Sequence, residues 1–433
     1  MERIIHPARL VHGELRFAGD KSISHRALMF SALAEGTGEL RGLSRSEDCV
    51  STRRALESLG VKMSGSGETL RVHGVGLRGL KGPASELYLG NSGTTMRLLL
   101  GILAAQDFTS VLTGDESLSA RPMRRVTGPL RQMGARIDGA DDANFAPLTV
   151  NGSSLKAITY ESPIASAQVK SALLLAGLYA EGTTTVSEPF LSRDHTERML
   201  AMFGVPVKRD GLRVSVGPPA RLTARSITVA GDISSAAFFM ALAAILPGSE
   251  VRIADVTVNP TRTGFVDILR LMGADITIEP GTDSTAFEPI GTVVVRGSGG
   301  LRAAAVKGED VVRAIDELPL VMALGCFAAG ETVIEGAGEL RVKETDRIHS
   351  MVSNLRAMGA EIRESGDNVA ITGRSRLRGC RLKSFSDHRT AMALTVAALA
   401  AEGDSCLDDV SCVGISFPDF YDYIERIIGQ RHV

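Results

Sequence analysis

A short phrase recurs five times along the chain and constrains the fold more than any other feature. In each copy a helical pattern of apolar residues leads to a glycine, and alternating apolar residues follow. The copies are LESLGVKM, LRQMGARI, LAMFGVPV, LRLMGADI and LRAMGAEI, with glycines at Gly60, Gly134, Gly204, Gly273 and Gly359. This pattern is typical of a helix that ends at a glycine and turns into a strand. Because the spacing of about 70 residues is too long for a solenoid repeat, it predicts a small α/β subdomain used repeatedly.

A second series of segments runs in step with the first. Each places small or polar residues before an apolar helix, which is the pattern of a helix N-terminus. The segments are DKSISHRAL, NSGTTMRLL, SAQVKSALL, GDISSAAFF, DELPLVMAL and SDHRTAMAL, centred near Ser22, Ser92, Ser166, Ile233, Asp316 and His388. Together the two series predict six units. Free N–H groups and the helix dipole make such N-termini suitable for anions.

The ends of the chain indicate how the units form domains. The first residues, RIIHPARLVHGELRFAG, predict two short strands, and the sixth unit stops at Val433 before its last strands. We therefore expect the N-terminal strands to complete the last unit. Residues 1–19 and 230–433 would form one domain of three units, and residues 20–229 an inserted domain of three units. A length of 433 residues agrees with two domains.

Composition excludes several classes of protein. A net charge of −2 argues against nucleic-acid binding through bulk basicity. The longest apolar runs end too soon to span a bilayer, and the N-terminus has no signal or transit pattern, so we expect a cytoplasmic protein without membrane contact. The cysteines lack metal-site spacing and are expected to be buried reduced thiols; they are Cys49, Cys326, Cys380, Cys406 and Cys412.

Charged residues gather beside the predicted helix starts. Basic residues at these positions suit a small substrate that carries phosphate and carboxylate groups. Asp316 and Glu344 are acids among these bases, and each is either a proton-transfer group or a plain ion-pair partner. The segment GVGLRG, from Gly74, matches a dinucleotide fingerprint, but Pro83 and the absence of a following helical run favour a simple glycine-rich turn.

Taken together, these segments resemble the 5-enolpyruvylshikimate-3-phosphate synthase family from about Arg16 to Tyr421. The resemblance rests on GDKSISHRAL, GNSGTTMRL, ARPM, SAQVKSALL, GDISSAAFF, RVKETDR and SDHR, in that order. Four further signatures resemble the second sequence class of the family. They are RPMRR from Arg121, S-x-Q-x-K from Ser166 to Lys170, R-x-H-x-E from Arg193 to Glu197, and N-x-x-R from Asn259 to Arg262.

The resemblance implies an α/β fold of two domains. Each domain would contain three βαβαββ units, six in all, with helix N-termini directed at a ligand cleft between the domains. It also implies transfer of the enolpyruvyl group of phosphoenolpyruvate to the 5-hydroxyl of shikimate 3-phosphate, releasing phosphate through a tetrahedral ketal. This reaction belongs to the shikimate pathway to chorismate and the aromatic amino acids, and it uses no metal or organic cofactor.

The resemblance also implies a role for individual residues. The catalytic residues would be Asp316 as the base for the 5-hydroxyl and Glu344 as the group exchanging protons with the vinyl carbon, assisted by Lys21 and His388. Shikimate 3-phosphate would be bound by Lys21, Ser22, Arg26, Ser166, Ala167 through its backbone, Gln168, Arg193, Asp316 and Lys343. Phosphoenolpyruvate would be bound by Lys21, Gly93, Arg121, Gln168, Arg347 and Arg389.

Some details depart from the family pattern or leave room for alternatives. Ile415 stands where some relatives have a lysine that touches phosphoenolpyruvate. The family's herbicide glyphosate is expected to inhibit, with Gly93 indicating sensitivity and the second-class signatures tolerance. The alternatives are the enolpyruvyl transferase acting on UDP-N-acetylglucosamine, disfavoured by Ser22 after the lysine, and a non-catalytic phosphometabolite-binding protein. A monomer is expected.

Overall fold

A computed structural model describes residues 1–65, 68–281, 287–373 and 376–428 of the chain. The chain divides into two compact units. Residues Met1–Ala18 and Ala230–Val433 form one of them, named here the termini unit. Residues Gly19–Val229 form the other, named the inserted unit. The last residues of the sequence, which bear on the expected truncation of the sixth unit at Val433, lie outside the described residues.

The inserted unit is preceded by two strands of the termini unit, β1 (Arg3–Ile5) and β2 (His12–Arg16). Its own elements are α1 (Lys21–Leu33), β3 (Glu35–Arg41), α2 (Glu47–Ser58), β4 (Lys62–Ser64), β5 (Thr69–Val75), β6 (Leu87–Tyr88), α3 (Gly93–Leu103), β7 (Thr109–Thr113), α4 (Glu116–Ser119), α5 (Arg124–Gln132), β8 (Arg136–Gly139), α6 (Ala140–Ala143), β9 (Phe145–Asn151), β10 (Thr159–Glu161), α7 (Ala167–Gly177), β11 (Thr184–Ser187), α8 (His195–Met202), β12 (Val207–Asp210), β13 (Arg213–Val216) and β14 (Ile227–Thr228).

The termini unit continues after Val229. Its elements are α9 (Ile233–Ile245), β15 (Glu250–Thr257), α10 (Gly264–Leu271), β16 (Asp275–Pro280), β17 (Ile290–Arg296), β18 (Ala305–Val306), α11 (Glu309–Arg313), α12 (Leu318–Phe327), β19 (Glu331–Ile334), α13 (Arg347–Ala357), β20 (Glu361–Ser365), β21 (Asn368–Thr372), β22 (Arg381–Leu382), α14 (His388–Leu399), β23 (Ser405–Leu407) and α15 (Phe420–Ile428). Short 3₁₀ helices span Gly338–Val342 and Ser411–Ile415.

The strands form small sheets, each held within one unit. In the inserted unit the strand orders are β14-β3-β5-β4, β6-β7-β9-β8 and β10-β11-β13-β12. In the termini unit they are β16-β17-β15-β2, β18-β19-β21-β20 and β1-β23-β22. Five of these sheets share one pattern, in which an edge strand runs parallel to its neighbour and an antiparallel hairpin follows. The mixed α/β fold expected from the sequence is therefore confirmed.

The recurring glycines lie where the sequence predicts. Helices α2, α5, α8, α10 and α13 each end just before one of them, and all five glycines have positive φ, between 81° and 99°. This left-handed conformation costs glycine no steric strain, so it ends the helix and directs the chain into the next strand. In the dinucleotide-like segment GVGLRG, β5 ends at Val75 and the chain continues through a turn rather than a helix, as expected from the sequence.

Six helices begin at the segments that predict helix N-termini. They are α1, α3 and α7 in the inserted unit and α9, α12 and α14 in the termini unit. The side chains of Asp20, Ser92, Ser166, Asp232 and Asp387 cap five of them by accepting a backbone N–H. Most residues of these helices are buried, as their nearly continuous apolar sequences require. The polar N-termini are therefore the parts of these helices at which chemistry can occur.

The N-terminal strands require a correction. The sequence predicts that both strands complete the last unit, but only β1 joins that sheet, antiparallel to β23. Strand β2 instead pairs parallel with β15 in the sheet that follows α9. Correspondingly, β14 precedes α9 in the chain but pairs with β3, the strand after α1. Each of these two strands therefore joins a sheet other than the one that its neighbours along the chain suggest. Edge strands of two or five residues are too short for the sequence to indicate which strand they pair with.

The hydrophobic core of the termini unit is continuous from β1 through α9, α12 and α14 to α15. Among the described residues, no helix combines the length and apolar character that crossing a membrane requires.

Candidate functional site

In the inserted unit, Lys21 is the first residue of α1 and its ammonium group is held in place. Its Nζ lies 2.8 Å from Oδ2 of Asp48, in the first turn of α2. Both side chains are largely buried, at 20% and 12% exposure. Asp20, which caps α1, is completely buried. The lysine charge is therefore fixed at a helix N-terminus, where the backbone N–H groups also attract an anion.

Arg26 lies one turn further along α1 and is 3% exposed. It donates to Thr196 Oγ1 at 2.6 Å, to Ser171 Oγ at 2.7 Å and to the Ser22 carbonyl at 2.9 Å. These bonds connect α1 with α7 and α8. A guanidinium bound on several sides cannot swing freely, so its charge is preorganised beside Ser22.

Gly93 begins α3 in a crowded, cationic environment. A Cβ built on it would lie 2.9 Å from Arg97 Nη1 and 3.2 Å from Arg121 Nη1. The Arg121 guanidinium donates to Asn91 Oδ1 at 2.5 Å. Glycine at this position therefore leaves the approach to the helix N-terminus open between two guanidinium groups.

Gln168 connects α7 with α3. Its side-chain oxygen accepts from Arg97 Nη1 at 2.7 Å, and its Nε2 donates to Thr94 Oγ1 at 3.0 Å. Arg97 is 8% exposed and is a site residue that the sequence analysis missed. Its position four residues after Gly93 places it on the same face of α3, which is the signal that could have identified it.

Ser166 caps α7, and Ala167 is the first residue of that helix. The Ser166 N–H donates to Glu188 Oε1 at 2.8 Å. Arg193 is half-buried in the loop before α8. Hydrogen bonds therefore connect predicted residues of α1 and α7 with one another and with α3, and Arg193 precedes α8, the helix to which Arg26 also donates.

In the termini unit, one buried guanidinium organises the predicted residues. Arg347 begins α13 and its side chain is 2% exposed. Its Nη2 lies 2.6 Å from Glu344 Oε2 and its Nε lies 2.9 Å from Asp387 Oδ2. Its Nη1 lies 3.8 Å from Asp316 Oδ1, and Lys343 Nζ lies 3.6 Å from the same oxygen. Asp316 and Glu344, the two acidic candidates, therefore flank one cation.

Burial and the neighbouring carboxylates shift the pKa values of Arg347 and Lys343 in opposite directions. Burial lowers the pKa of Arg347, but the carboxylates of Asp387, Glu344 and Asp316 outweigh it and leave that pKa raised. For Lys343 burial prevails, and its pKa is lowered despite the attraction of Asp316. Arg347 is thus a permanent cation, whereas Lys343 loses its proton more readily than an ordinary lysine.

Arg389 and His388 begin α14, next to the capping residue Asp387, and both are buried. The Arg389 guanidinium donates to Glu317 Oε1 at 3.4 Å. Glu317 also accepts from Ser234 Oγ, to which Arg262 donates at 2.9 Å. Arg262, from the N-x-x-R signature, is therefore connected to Arg389 through side chains of two other helix starts.

Besides Arg97, the partners Asp48 and Glu317 were not predicted from the sequence, and Asp387 was predicted only as part of the SDHR motif. Each of these three acids holds a predicted cation that lies 27 or more residues away along the chain. Ile415, where some relatives have a lysine, ends a 3₁₀ helix and packs against the hydrophobic core. Its side chain adds no charge to the site.

The described residues contain no cluster of three histidine, cysteine or acidic side chains that could hold a metal. The cysteines are free thiols. Burial raises the pKa of the Cys49, Cys326 and Cys412 thiols to about 12, so these groups are poor nucleophiles.

The fold is shared with solved structures of enolpyruvyl transferases. The enolpyruvyl transferase NikO from Streptomyces tendae has the same fold, with a TM-score of 0.77 at 17% identity and coverage of 98% of this chain and 96% of that one. EPSP synthase from Acinetobacter baumannii is more similar, with a TM-score of 0.87, 44% identity and 98% coverage of both chains.

The particular family follows from sequence comparison. The family model of EPSP synthase (3-phosphoshikimate 1-carboxyvinyltransferase) matches residues 5–424. The chain is 50% identical over 426 residues to the 3-phosphoshikimate 1-carboxyvinyltransferase of Citrifermentans bemidjiense, covering 98% of this chain and 99% of that one. This chain belongs to the EPSP synthase family, which confirms the resemblance stated from the sequence motifs.

Proposed function

We propose that this chain transfers the enolpyruvyl group of phosphoenolpyruvate to the 5-hydroxyl of shikimate 3-phosphate, giving 5-enolpyruvylshikimate 3-phosphate and phosphate. The observation that carries the proposal is the contact of one buried guanidinium, that of Arg347, with both acidic candidates, Glu344 and Asp316. The reaction needs a proton donor, a proton acceptor and a cation beside the developing negative charge, and this cluster supplies all three.

In the first half of the reaction a bond forms between the 5-oxygen and C2 of phosphoenolpyruvate. Asp316 accepts the hydroxyl proton while Glu344 donates a proton to C3, which gives the tetrahedral ketal. Lys343 and Arg347, which flank Asp316, stabilise charge that develops on the phosphate and carboxylate groups.

In the second half the bond between C2 and the phosphate oxygen breaks. A proton leaves C3 for Glu344, which restores the double bond, and Lys21 and His388 assist this exchange. Phosphate departs with the electron pair of the broken bond. Because Glu344 is held at 2.6 Å from Arg347, its carboxylate needs no large movement between the two steps.

The substrates are bound by the residues that the sequence motifs predict. Lys21, Ser22, Arg26, Ser166, Ala167, Gln168 and Arg193 hold shikimate 3-phosphate together with Asp316 and Lys343. Lys21, Gly93, Arg121, Gln168, Arg347 and Arg389 hold phosphoenolpyruvate. What supports this assignment is that Lys21, Arg26, Arg347 and Arg389 are each fixed by protein acceptors, so that they meet the ligands without reorganisation.

The test is phosphate release measured with both substrates. The wild-type protein should release phosphate only when both are present. Asp316→Ala should reduce the rate by a factor of about 10² or more, since general-base catalysis contributes that much. Glu309→Gln, an exposed carboxylate on α11 in the same unit, is the control and should retain the wild-type rate. Normal turnover by Asp316→Ala would remove the base assignment.

Further properties belong to the proposal. Glyphosate, which carries a carboxylate and a phosphonate, competes for the phosphoenolpyruvate position at Gly93 and inhibits. The protein acts in the cytoplasm as a monomer and contributes to chorismate and aromatic amino acid synthesis. The second-class assignment is supported by Lys170 and Glu197, which belong to two of its signatures and form an ion pair at 2.9 Å.

A further inference from the structure

A buried network of three charges lies in the inserted unit, next to residues that the proposed mechanism uses. Lys170 is 1% exposed, and its Nζ lies 2.8 Å from Glu188 Oε2 and 2.9 Å from Glu197 Oε1. The two carboxylates are themselves 2% and 7% exposed. No catalytic or binding role assigned so far involves these three residues.

Glu188 is the centre of this network because it accepts from three parts of the unit. Glu188 lies directly after β11. Its Oε1 accepts the N–H of Ser166, the capping residue of α7, at 2.8 Å. Its Oε2 accepts the Ser192 hydroxyl at 2.8 Å, in the loop before α8, and also contacts Lys170. One carboxylate therefore holds the starts of two helices against the end of a strand.

Stability alone does not account for this arrangement. Burying an ion pair is costly, and apolar side chains of similar volume often stabilise a core equally well. An apolar residue at position 188 could not accept the Ser166 N–H or the Ser192 hydroxyl. The network therefore supplies fixed acceptors, and the two groups that it fixes adjoin Ala167 and Arg193.

Lys170 balances the cost of placing two carboxylates at one site. Burial lowers its pKa, but the charges of Glu197 and Glu188 prevail and leave that pKa raised, so the lysine stays protonated. Glu197 lies in the first turn of α8 and therefore also connects Lys170 to the helix that follows Arg193. Removal of one carboxylate leaves a neutral pair, so a Glu188→Gln variant is expected to fold.

We propose that Glu188 is a positioning residue for shikimate 3-phosphate, acting through Ser166 and Ser192 on the two loops that bind this substrate. The inference rests on the proposed function and deepens it. Glu188 is not among the residues proposed to contact either substrate, yet it would affect the binding of one of them. Of the residues proposed to bind phosphoenolpyruvate, only Gln168 lies next to this network, so the binding of phosphoenolpyruvate should respond much less.

The experiment compares the KM values of the two substrates by phosphate release. Glu188→Gln should raise the KM for shikimate 3-phosphate by about tenfold and leave that for phosphoenolpyruvate within about twofold, because a loss of uniform binding raises KM without lowering kcat. Ser192→Ala removes one of the bonds to Glu188 and should raise the same KM by about threefold.

The matched control is Val150→Ala in β9, a fully buried position of the same unit that lowers stability without touching the network. It should leave the ratio of the two KM values unchanged. Equal rises of both KM values in Glu188→Gln, or no rise, would overturn the inference. If the Gln variant fails to fold, Ser192→Ala decides by the same criterion. Absence of phosphate release by the wild-type protein would instead overturn the proposed function.

Discussion

The ammonium group of Lys21 lies 2.8 Å from the carboxylate of Asp48, across 27 residues of chain. The pair joins the first residue of α1 to the first turn of α2. A lysine side chain has four rotatable bonds, and without a partner it would have to be ordered by the ligand. Asp48 performs that ordering before any ligand binds, so under the proposed function we expect it to contribute to binding through Lys21.

Asp48→Asn should therefore weaken the binding of both substrates, because Lys21 is proposed to contact both. The expected change is a fall in kcat/KM of about tenfold for each substrate, corresponding to about 1.4 kcal/mol. Glu57→Gln is the control, because Glu57 lies on the same helix and forms an exposed pair with Arg53. Steady-state phosphate release measures both variants, and an Asp48→Asn enzyme with wild-type kcat/KM would contradict the role of this pair.

Gly93→Ala should discriminate between phosphoenolpyruvate and glyphosate. The added Cβ would press on the guanidinium groups of Arg97 and Arg121, at 2.9 and 3.2 Å, and narrow the space at the start of α3. Glyphosate is one chain atom longer than phosphoenolpyruvate between its two acidic groups, so it should lose more affinity. The inhibition constant of glyphosate and the KM for phosphoenolpyruvate measure the two effects.

The control for this substitution is Gly128→Ala. A Cβ at Gly128, within α5, meets no atom within 4 Å, so the variant should retain the wild-type values for both ligands. Equal weakening of glyphosate and phosphoenolpyruvate in Gly93→Ala would contradict the prediction.

His25 should make the protein sensitive to acid. Burial lowers its pKa from 6.5 to about 3, aided by Lys21 and Arg26 and opposed by Asp48. Between these two pH values the unfolded chain takes up a proton at this site that the folded chain refuses. The free energy of unfolding should therefore fall as the pH drops below 6.5, by about 2 kcal/mol at pH 5 from this residue.

Urea unfolding at pH 8 and pH 5 measures this effect. His25→Gln can retain a hydrogen bond to Thr52 and should lose less stability between the two pH values than the wild-type protein. His73→Gln, on the exposed side of β5, is the control and should behave as the wild type. An identical loss in His25→Gln and wild type would assign the acid sensitivity to other groups.

Glu317→Gln should selectively weaken the binding of phosphoenolpyruvate. Glu317 orients Arg389 and is itself held by Ser234, so the neutral amide would leave the guanidinium less firmly placed. The expected rise in KM for phosphoenolpyruvate is about fivefold, corresponding to about 1 kcal/mol. Glu335→Gln, an exposed residue after β19, should have no effect. A larger rise in the KM for shikimate 3-phosphate would contradict the assignment of Arg389.

Much of the fold could be predicted because its signals are local. A glycine after an apolar helical pattern ends a helix wherever it stands, and the recurrence of that signal gave the repeated α/β subdomain. The helix starts followed from capping residues such as Asp20 and Ser92, whose bonds reach only three residues ahead. The motifs around Lys21 and Arg347 sufficed for the resemblance to the family.

The sequence by itself determined the elements, the cationic helix starts and the family. Only the tertiary structure decided which strand completes which sheet and which acceptor holds each cation. Strand β2 pairs with β15, more than 200 residues away, and Lys170 meets Glu188 and Glu197, which lie 18 and 27 residues further along the chain. Short edge strands and single charged residues match many partners equally well along a chain. Their partners are selected by the packing of the core, which brings distant segments together and excludes water from between them.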